Sequence, residues 1–169
     1  MSLAYLVLGL VTLQRLGELV LAEINTRTLL ARGAKEAAPG HYPMVVALHA
    51  AWLIGLWLLA PGRPVEPVWL GLFLVLQALR VWVIASLGRR WTTRIIVLPG
   101  ASLVREGPYR YVAHPNYLVV IGEIVALPMA FGLLMLALVF SLLNGAVLWV
   151  RIRAESRALV SSVATATER

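Results

Sequence analysis

Apolar residues run almost unbroken through residues 3–23, 43–60, 67–87 and 115–150, with short polar or Pro- and Gly-bearing stretches between them. An α-helix needs about 20 such residues to cross the hydrocarbon core of a bilayer. The last run is too long for one crossing and must double back. Leu127-Pro128-Met129-Ala130-Phe131-Gly132 predicts the turn, because Pro128 lacks a backbone donor and Gly132 tolerates conformations that end a helix. The pattern therefore predicts an all-α integral membrane protein with five transmembrane helices, over residues 3–23, 43–60, 67–87, 115–128 and 132–150. The last two form a helical hairpin, and a cytoplasmic C-terminal helix follows.

Between the spans, residues 24–42 read as a short interfacial helix ending at Pro39-Gly40. Residues 88–113 form the longest polar stretch and read as a structured loop. Within it, Ile95-Ile96-Val97-Leu98, then Pro99-Gly100, then Ala101-Ser102-Leu103-Val104 predicts a hairpin or extended pair around a turn. There is no internal repeat and no low-complexity tract.

Composition agrees with the membrane class: 60% apolar and 14% charged residues lie far outside the soluble range. No cysteine is present, which excludes disulfides, thiolate metal ligands and cysteine nucleophiles. The first segment has no Lys or Arg before Arg15, carries Glu18 and Glu23, and lacks a small-residue cleavage site, so it reads as a span, not a removable signal.

The net charge of +7 is partitioned between loops, which speaks for a membrane partner and not for nucleic acid. Arg27, Arg32 and Lys35 follow the first span; Arg89, Arg90, Arg94, Arg105 and Arg110 lie between the third and fourth; Arg151, Arg153, Arg157 and Arg169 follow the fifth. The loop from Pro61 to Pro67 has only Arg63. With an odd number of spans, the positive-inside rule places the N-terminus outside and these basic regions in the cytoplasm.

Several polar residues fall inside the spans. Arg15 and Glu18 sit one turn apart with Gln14 beside them, and Gln77 and Arg80 share a face of the third span. Glu123 lies deep in the fourth span on the face of Asn116 and needs a partner, for which Arg80 is a candidate. Such groups either pair between helices or line a polar cavity.

Candidate chemistry lies in Gly107-Pro108-Tyr109-Arg110-Tyr111-Val112-Ala113-His114-Pro115-Asn116-Tyr117, which leads into the fourth span. Pro115 suits the first helical position and His114 the cap before it. The unpaired N–H groups of such a terminus can receive an anion. Alone, the histidine reads as a cap and the tyrosines as interface anchors. At the far end of the fifth span, Asn144, Leu148, Arg151 and Glu155 follow helical offsets and form one stripe. Alone, Arg151 and Glu155 read as a surface ion pair, with Arg153 and Arg157 contacting lipid phosphates.

Together, G-x-Y-x-x-x-x-H-P-x-Y at the mouth of one span and R-I-x-x-E after a helical hairpin resemble the isoprenylcysteine carboxyl methyltransferase family, in the short bacterial form. The motif-bearing resemblance covers residues 86–159. It implies S-adenosylmethionine as methyl donor, leaving S-adenosylhomocysteine as product, with a cofactor-binding part over residues 88–169. It further implies a lipophilic substrate entering from the bilayer and, for the bacterial form, a place in the bacterial inner membrane. Matched residue by residue, Gly107, Tyr109, His114, Pro115, Tyr117 and Glu155 become cofactor-pocket candidates, and Arg151, Glu155 and His114 catalytic or substrate-positioning candidates. Two positions depart from the family pattern: Ala113 stands where Arg usually precedes His-Pro, and Ser156 where a second Glu often follows. Arg110 or Arg153 are candidates to replace the missing charge.

Methyl transfer to oxygen needs orientation and exclusion of water and no metal. A carboxylate acceptor is already ionised and suits an arginine such as Arg151, oriented by Glu155. A phenol or enol needs a proton acceptor, with His114 or Glu155 available. Phospholipid amine N-methylation is an alternative that the basic rim disfavours. A small transporter or scaffold is the non-enzymatic alternative, and it has no need of paired interfacial motifs. The sequence carries no signal for an oligomeric state.

Overall fold

The computed structural model describes residues 3–101 and 104–167, without the side chains of His41 and residues 156–167. Five α-helices dominate: α1 (Leu3–Ala31), α2 (Tyr42–Leu59), α3 (Pro67–Leu87), α4 (Pro115–Ala130) and α5 (Leu134–Thr167). Among the described residues, four helices are long and apolar enough to cross a membrane, within α1, α2, α3 and α5. α4 is shorter, with 16 residues. Leu58, Val68 and Leu142 are among many large apolar side chains exposed on the bundle surface. A helix apolar all round fits a lipid solvent.

The expected interfacial helix over residues 24–42 is not formed. α1 continues through that stretch to Ala31, with Asn25, Thr26 and Leu29 buried. It stops at Gly33, whose φ of 86° permits the Ala34 amide to reach the Leu29 carbonyl at 3.1 Å and the Gly33 amide to reach Leu30. A short 3-10 turn, Pro39–His41, then leads into α2.

The first arm of the expected loop hairpin takes part in a longer-range pairing. β1 (Lys35–Glu36) and β2 (Ile96–Val97) pair antiparallel, with Lys35 opposite Val97 and Glu36 opposite Ile96. The Ala37 amide donates to the Ile95 carbonyl, and Arg94 reaches Glu36 at 3.1 Å, so polar groups on the α1–α2 connection win β2 as partner. The turn at Pro99-Gly100 is present, with Gly100 at φ 74°. Ser102 and Leu103, within the other expected arm, lie outside the described residues.

α4 starts with His114 at the cap and Pro115 in its first turn, and ends where Pro128 had predicted a turn. Gly132, at φ 64°, completes the reversal, with the Leu133 amide on the Pro128 carbonyl. α5 then runs without interruption from the bundle to Thr167, so the expected C-terminal helix is its continuation.

An apolar core of Leu56, Phe73, Ile124, Leu127 and Phe131 fills the end of the bundle near the α4–α5 turn. Gly55 and Gly122 allow close approach there: a Cβ on either would stand 2.9 Å from Leu136 or Leu76. The opposite end, where α4 begins and α5 leaves the bundle, is polar.

Candidate active site

α4 begins under the loop carrying Gly107, and the first described contacts of the site come from that loop. Gly107 has φ 56°, and a Cβ there would lie 2.1 Å from the Ser86 hydroxyl oxygen, so this glycine lets the chain press against the end of α3. The following short turn, Gly107–Arg110, holds Tyr109 half-buried beside Glu155. Burial, with the Glu155 carboxylate adding to it, pushes the Tyr109 phenol up to about 12. Tyr109 also lines an open basin of about 600 Å³ together with Arg105 and Arg110.

One helical turn into α4, Tyr117 meets α5. Its hydroxyl donates to Glu155 Oε2 at 2.5 Å and accepts from Arg151 Nε at 3.0 Å. Arg151 Nη1 donates to the Thr93 carbonyl at 2.7 Å. The His114 ring stacks on Tyr117, with centroids 5.1 Å apart and planes 15° from parallel. His114 makes no side-chain cap bond at its own helix end.

These contacts change the reading of Arg151 and Glu155 as a surface pair. Tyr117 stands between them, and neither is fully exposed. With Nε and one Nη1 hydrogen engaged, the other Nη1 hydrogen and both on Nη2 remain as donors. Arg153, a candidate for the missing family charge, instead lies over the Trp149 ring at 3.7 Å, and Arg110 lines the open basin. The Ser156 departure falls on a side chain outside the described ones, as does Arg157.

Sequence reasoning missed the loop that supports Arg151. Asn25 of α1, buried, donates to the Trp91 carbonyl at 2.8 Å and to Gly88 at 3.3 Å, tying the loop down. Arg94 lies 4.6 Å over the Tyr42 ring as well as pairing with Glu36. Burial works against its charge, yet the Glu36 hydrogen bond and carboxylate hold Arg94 above its ordinary value. A buried mid-helix asparagine is a weak sign of such tethering, and a backbone carbonyl ligand leaves no side-chain sign at all.

Behind Tyr117 and Arg151 a cavity of about 270 Å³ extends into the bundle between α1, α2, α4 and α5. Asn116, Asn144 and His49 are in its wall, and the Asn116 Oδ1 atom is buried without a hydrogen-bond partner. Its remaining lining is largely apolar, including Leu16, Leu19, Val46 and Leu53.

Apolar helices long enough to cross a membrane thus enclose a cavity with a polar aromatic junction at its mouth, the build of an integral membrane protein with an internal site. Residues 69–161 match the isoprenylcysteine carboxyl methyltransferase family. A Bacillus subtilis (strain 168) protein described as "Uncharacterized protein YpbQ" is 36% identical over 160 residues, covering 92% of this chain and 95% of that protein. No solved structure matches. The chain belongs to the isoprenylcysteine carboxyl methyltransferase family, and so to the membrane methyltransferases.

Proposed function

We propose that this protein transfers a methyl group from S-adenosylmethionine to an oxygen of a lipophilic acceptor dissolved in the membrane. The observation that carries the reading is the Tyr117 junction, which joins the two motif-bearing segments at the mouth of the internal cavity.

The residues present suit this cofactor. Glu155 offers a carboxylate for ribose hydroxyls or an ammonium group, and Arg105 and Arg110 offer cations for a carboxylate. His114 and Tyr117 supply stacked rings for an aromatic base, and the unpartnered Asn116 Oδ1 awaits an N–H donor. When bound, S-adenosylmethionine supplies a methyl group on a sulfonium centre, which an oxygen lone pair takes as the carbon–sulfur bond breaks.

The chain's own contribution is positional. Tyr117 fixes Arg151 and Glu155 relative to α4, and Thr93 fixes Arg151 from the other side. Arg151 Nη2 is left to orient the acceptor oxygen. For a hydroxyl acceptor, Glu155 or His114 takes the released proton; a carboxylate acceptor releases none. The apolar cavity wall excludes water from the reacting atoms.

Orientation and span number belong to the same reading. α4 is about 24 Å long at 1.5 Å per residue, shorter than a hydrocarbon core of about 30 Å. Its far end is buried in protein, where Phe131 is covered and the Ala130 carbonyl accepts from the Glu66 amide. A short crossing is tolerable when its end is satisfied inside protein. Five crossings, with the N-terminus outside and the site on the cytoplasmic face, then place the basic loops where the positive-inside rule requires them.

Titration calorimetry of the purified protein with S-adenosylhomocysteine tests the reading. Saturable binding is expected, and a folded protein that binds none would sink it. Labelled methyl transfer into the lipid-soluble fraction of membranes containing the protein then identifies the acceptor.

A further inference from the structure

Deep in the bundle, α1, α3 and α4 contribute a cluster that the Tyr117 junction does not use. Arg15 bonds Glu18 and Glu123, each at 2.8 Å. Arg80 pairs with Glu123 and reaches Glu18 at 3.3 Å, and Gln77 Nε2 donates to Glu123 at 2.7 Å. Two arginines and two glutamates balance, so the helices are held together with no charge left over.

A purely structural cluster does not explain its edge on the cavity. Arg15, Glu18 and Arg80 are in the cavity wall, and Arg15 Nε is buried with no partner. Beside them in the wall is His49 of α2. Its Nδ1 lies 2.9 Å from the Val45 carbonyl, so Nδ1 carries the proton and Nε2 remains an acceptor. Trp52, also in the wall and almost wholly buried, has an unpartnered Nε1 donor. Buried donors and acceptors left unmatched in one cavity point to a ligand that matches them.

We propose that this inner end of the cavity is a second polar subsite, which takes an uncharged hydroxyl group on the lipid-soluble acceptor. An ionised group would add an unbalanced charge to a cluster that already sums to zero, whereas a neutral hydroxyl both accepts from the Arg15 Nε donor and donates to the His49 acceptor. The separation follows from α2. Thr93 Oγ1 donates to the Tyr42 hydroxyl at 3.3 Å while the Thr93 carbonyl holds Arg151, so Tyr42 marks the level of the reactive end. His49 is two helical turns further along, roughly 10 Å at 1.5 Å per residue. The acceptor therefore carries polar groups at two ends of an apolar segment of about that length. The inference rests on the methyl-transfer reading only for which end reacts.

The test uses the full chain in lipid nanodiscs with tritiated decane-1,10-diol and tritiated decan-1-ol, each measured as retention over empty nanodiscs. The diol is expected to bind more tightly than the mono-alcohol by roughly fivefold, the factor set by about one net hydrogen bond. His49→Leu should abolish the difference while leaving S-adenosylhomocysteine binding intact. Equal retention of the two probes by the wild-type protein, or an unchanged difference in His49→Leu, overturns the subsite. Displacement of the diol by decanedioate at lower concentration than by the diol itself overturns its preference for an uncharged group. Failure of the wild-type protein to bind S-adenosylhomocysteine would defeat the methyl-transfer reading and leave the probe comparison readable.

Discussion

The Tyr117 hydroxyl donates to the Glu155 carboxylate at 2.5 Å, joining the first turns of α4 to the part of α5 that leaves the bundle. Because the same oxygen accepts from Arg151, one phenol holds both charged residues of the second motif in place. Each bond involves a charged group, and such bonds contribute about 1.5–3 kcal/mol apiece. Tyr117→Phe keeps the ring stacked on His114 but removes both bonds. It is expected to weaken S-adenosylhomocysteine binding by roughly 10- to 100-fold with little change in helix content. Calorimetry beside circular dichroism decides this, and unchanged affinity would remove Tyr117 from the site.

The buried cluster makes a prediction about stability, not catalysis. Glu123→Ala leaves Arg15 and Arg80 with Glu18 as their one remaining carboxylate in the cluster, an unbalanced buried positive charge, and should destabilise the protein by about 3–5 kcal/mol. An apolar replacement of both Arg80 and Glu123 should cost less than Glu123→Ala alone, because no unbalanced charge from that pair remains. Thermal unfolding in a fixed detergent compares the two variants. A double variant weaker than the single one would show that the ion pair itself stabilises the bundle.

Gly107→Ala forces a Cβ to within 2.1 Å of Ser86 Oγ at a backbone φ of 56° that alanine rarely adopts. The loop must shift, at a cost of about 1–3 kcal/mol. Since Tyr109 and His114 follow on the same segment, reduced S-adenosylhomocysteine affinity is expected alongside lower stability. Ser86→Ala in the same chain should recover part of the loss, and the absence of any recovery would place the strain elsewhere.

Tyr109 gives a pH signature. Its phenol titrates near 12 in the folded protein, above its ordinary value of 10.0, so the folded state holds the proton longer than the unfolded chain. The associated stability is fully present below pH 10 and is lost as pH rises through about 12. The midpoint of thermal unfolding should therefore fall more steeply over that window in the wild-type protein than in Tyr109→Phe. Parallel slopes would mean that Tyr109 is solvated like a free phenol.

Much of the architecture was legible in the chain. Long apolar runs separated by polar breaks define membrane helices because each must satisfy its own backbone in lipid, and length then limits what a run can be. The start of α4 at His114-Pro115, the reversal at Gly132 and the stripe of Asn144, Leu148, Arg151 and Glu155 are local consequences of helical geometry. The family motifs named the residues that the fold gathers. The turn at Pro99-Gly100 was legible too, but the pairing of β2 with the distant β1 was not, because strand pairing rewards whichever edge the packed helices bring near.

Only the tertiary structure decided what each polar residue meets. The helices are apolar nearly all round and the lipid is as apolar as their leucines, so no hydrophobic face sets their rotation about the bundle axis. The sequence alone determined that Glu123 needed a partner and offered Arg80; packing brought Arg80 to it and added Arg15 from a third helix. It likewise put Arg151 and Glu155 on one stripe, while the placement of Tyr117 between them, and of a cavity behind, followed from how α4 and α5 close on α1 and α2.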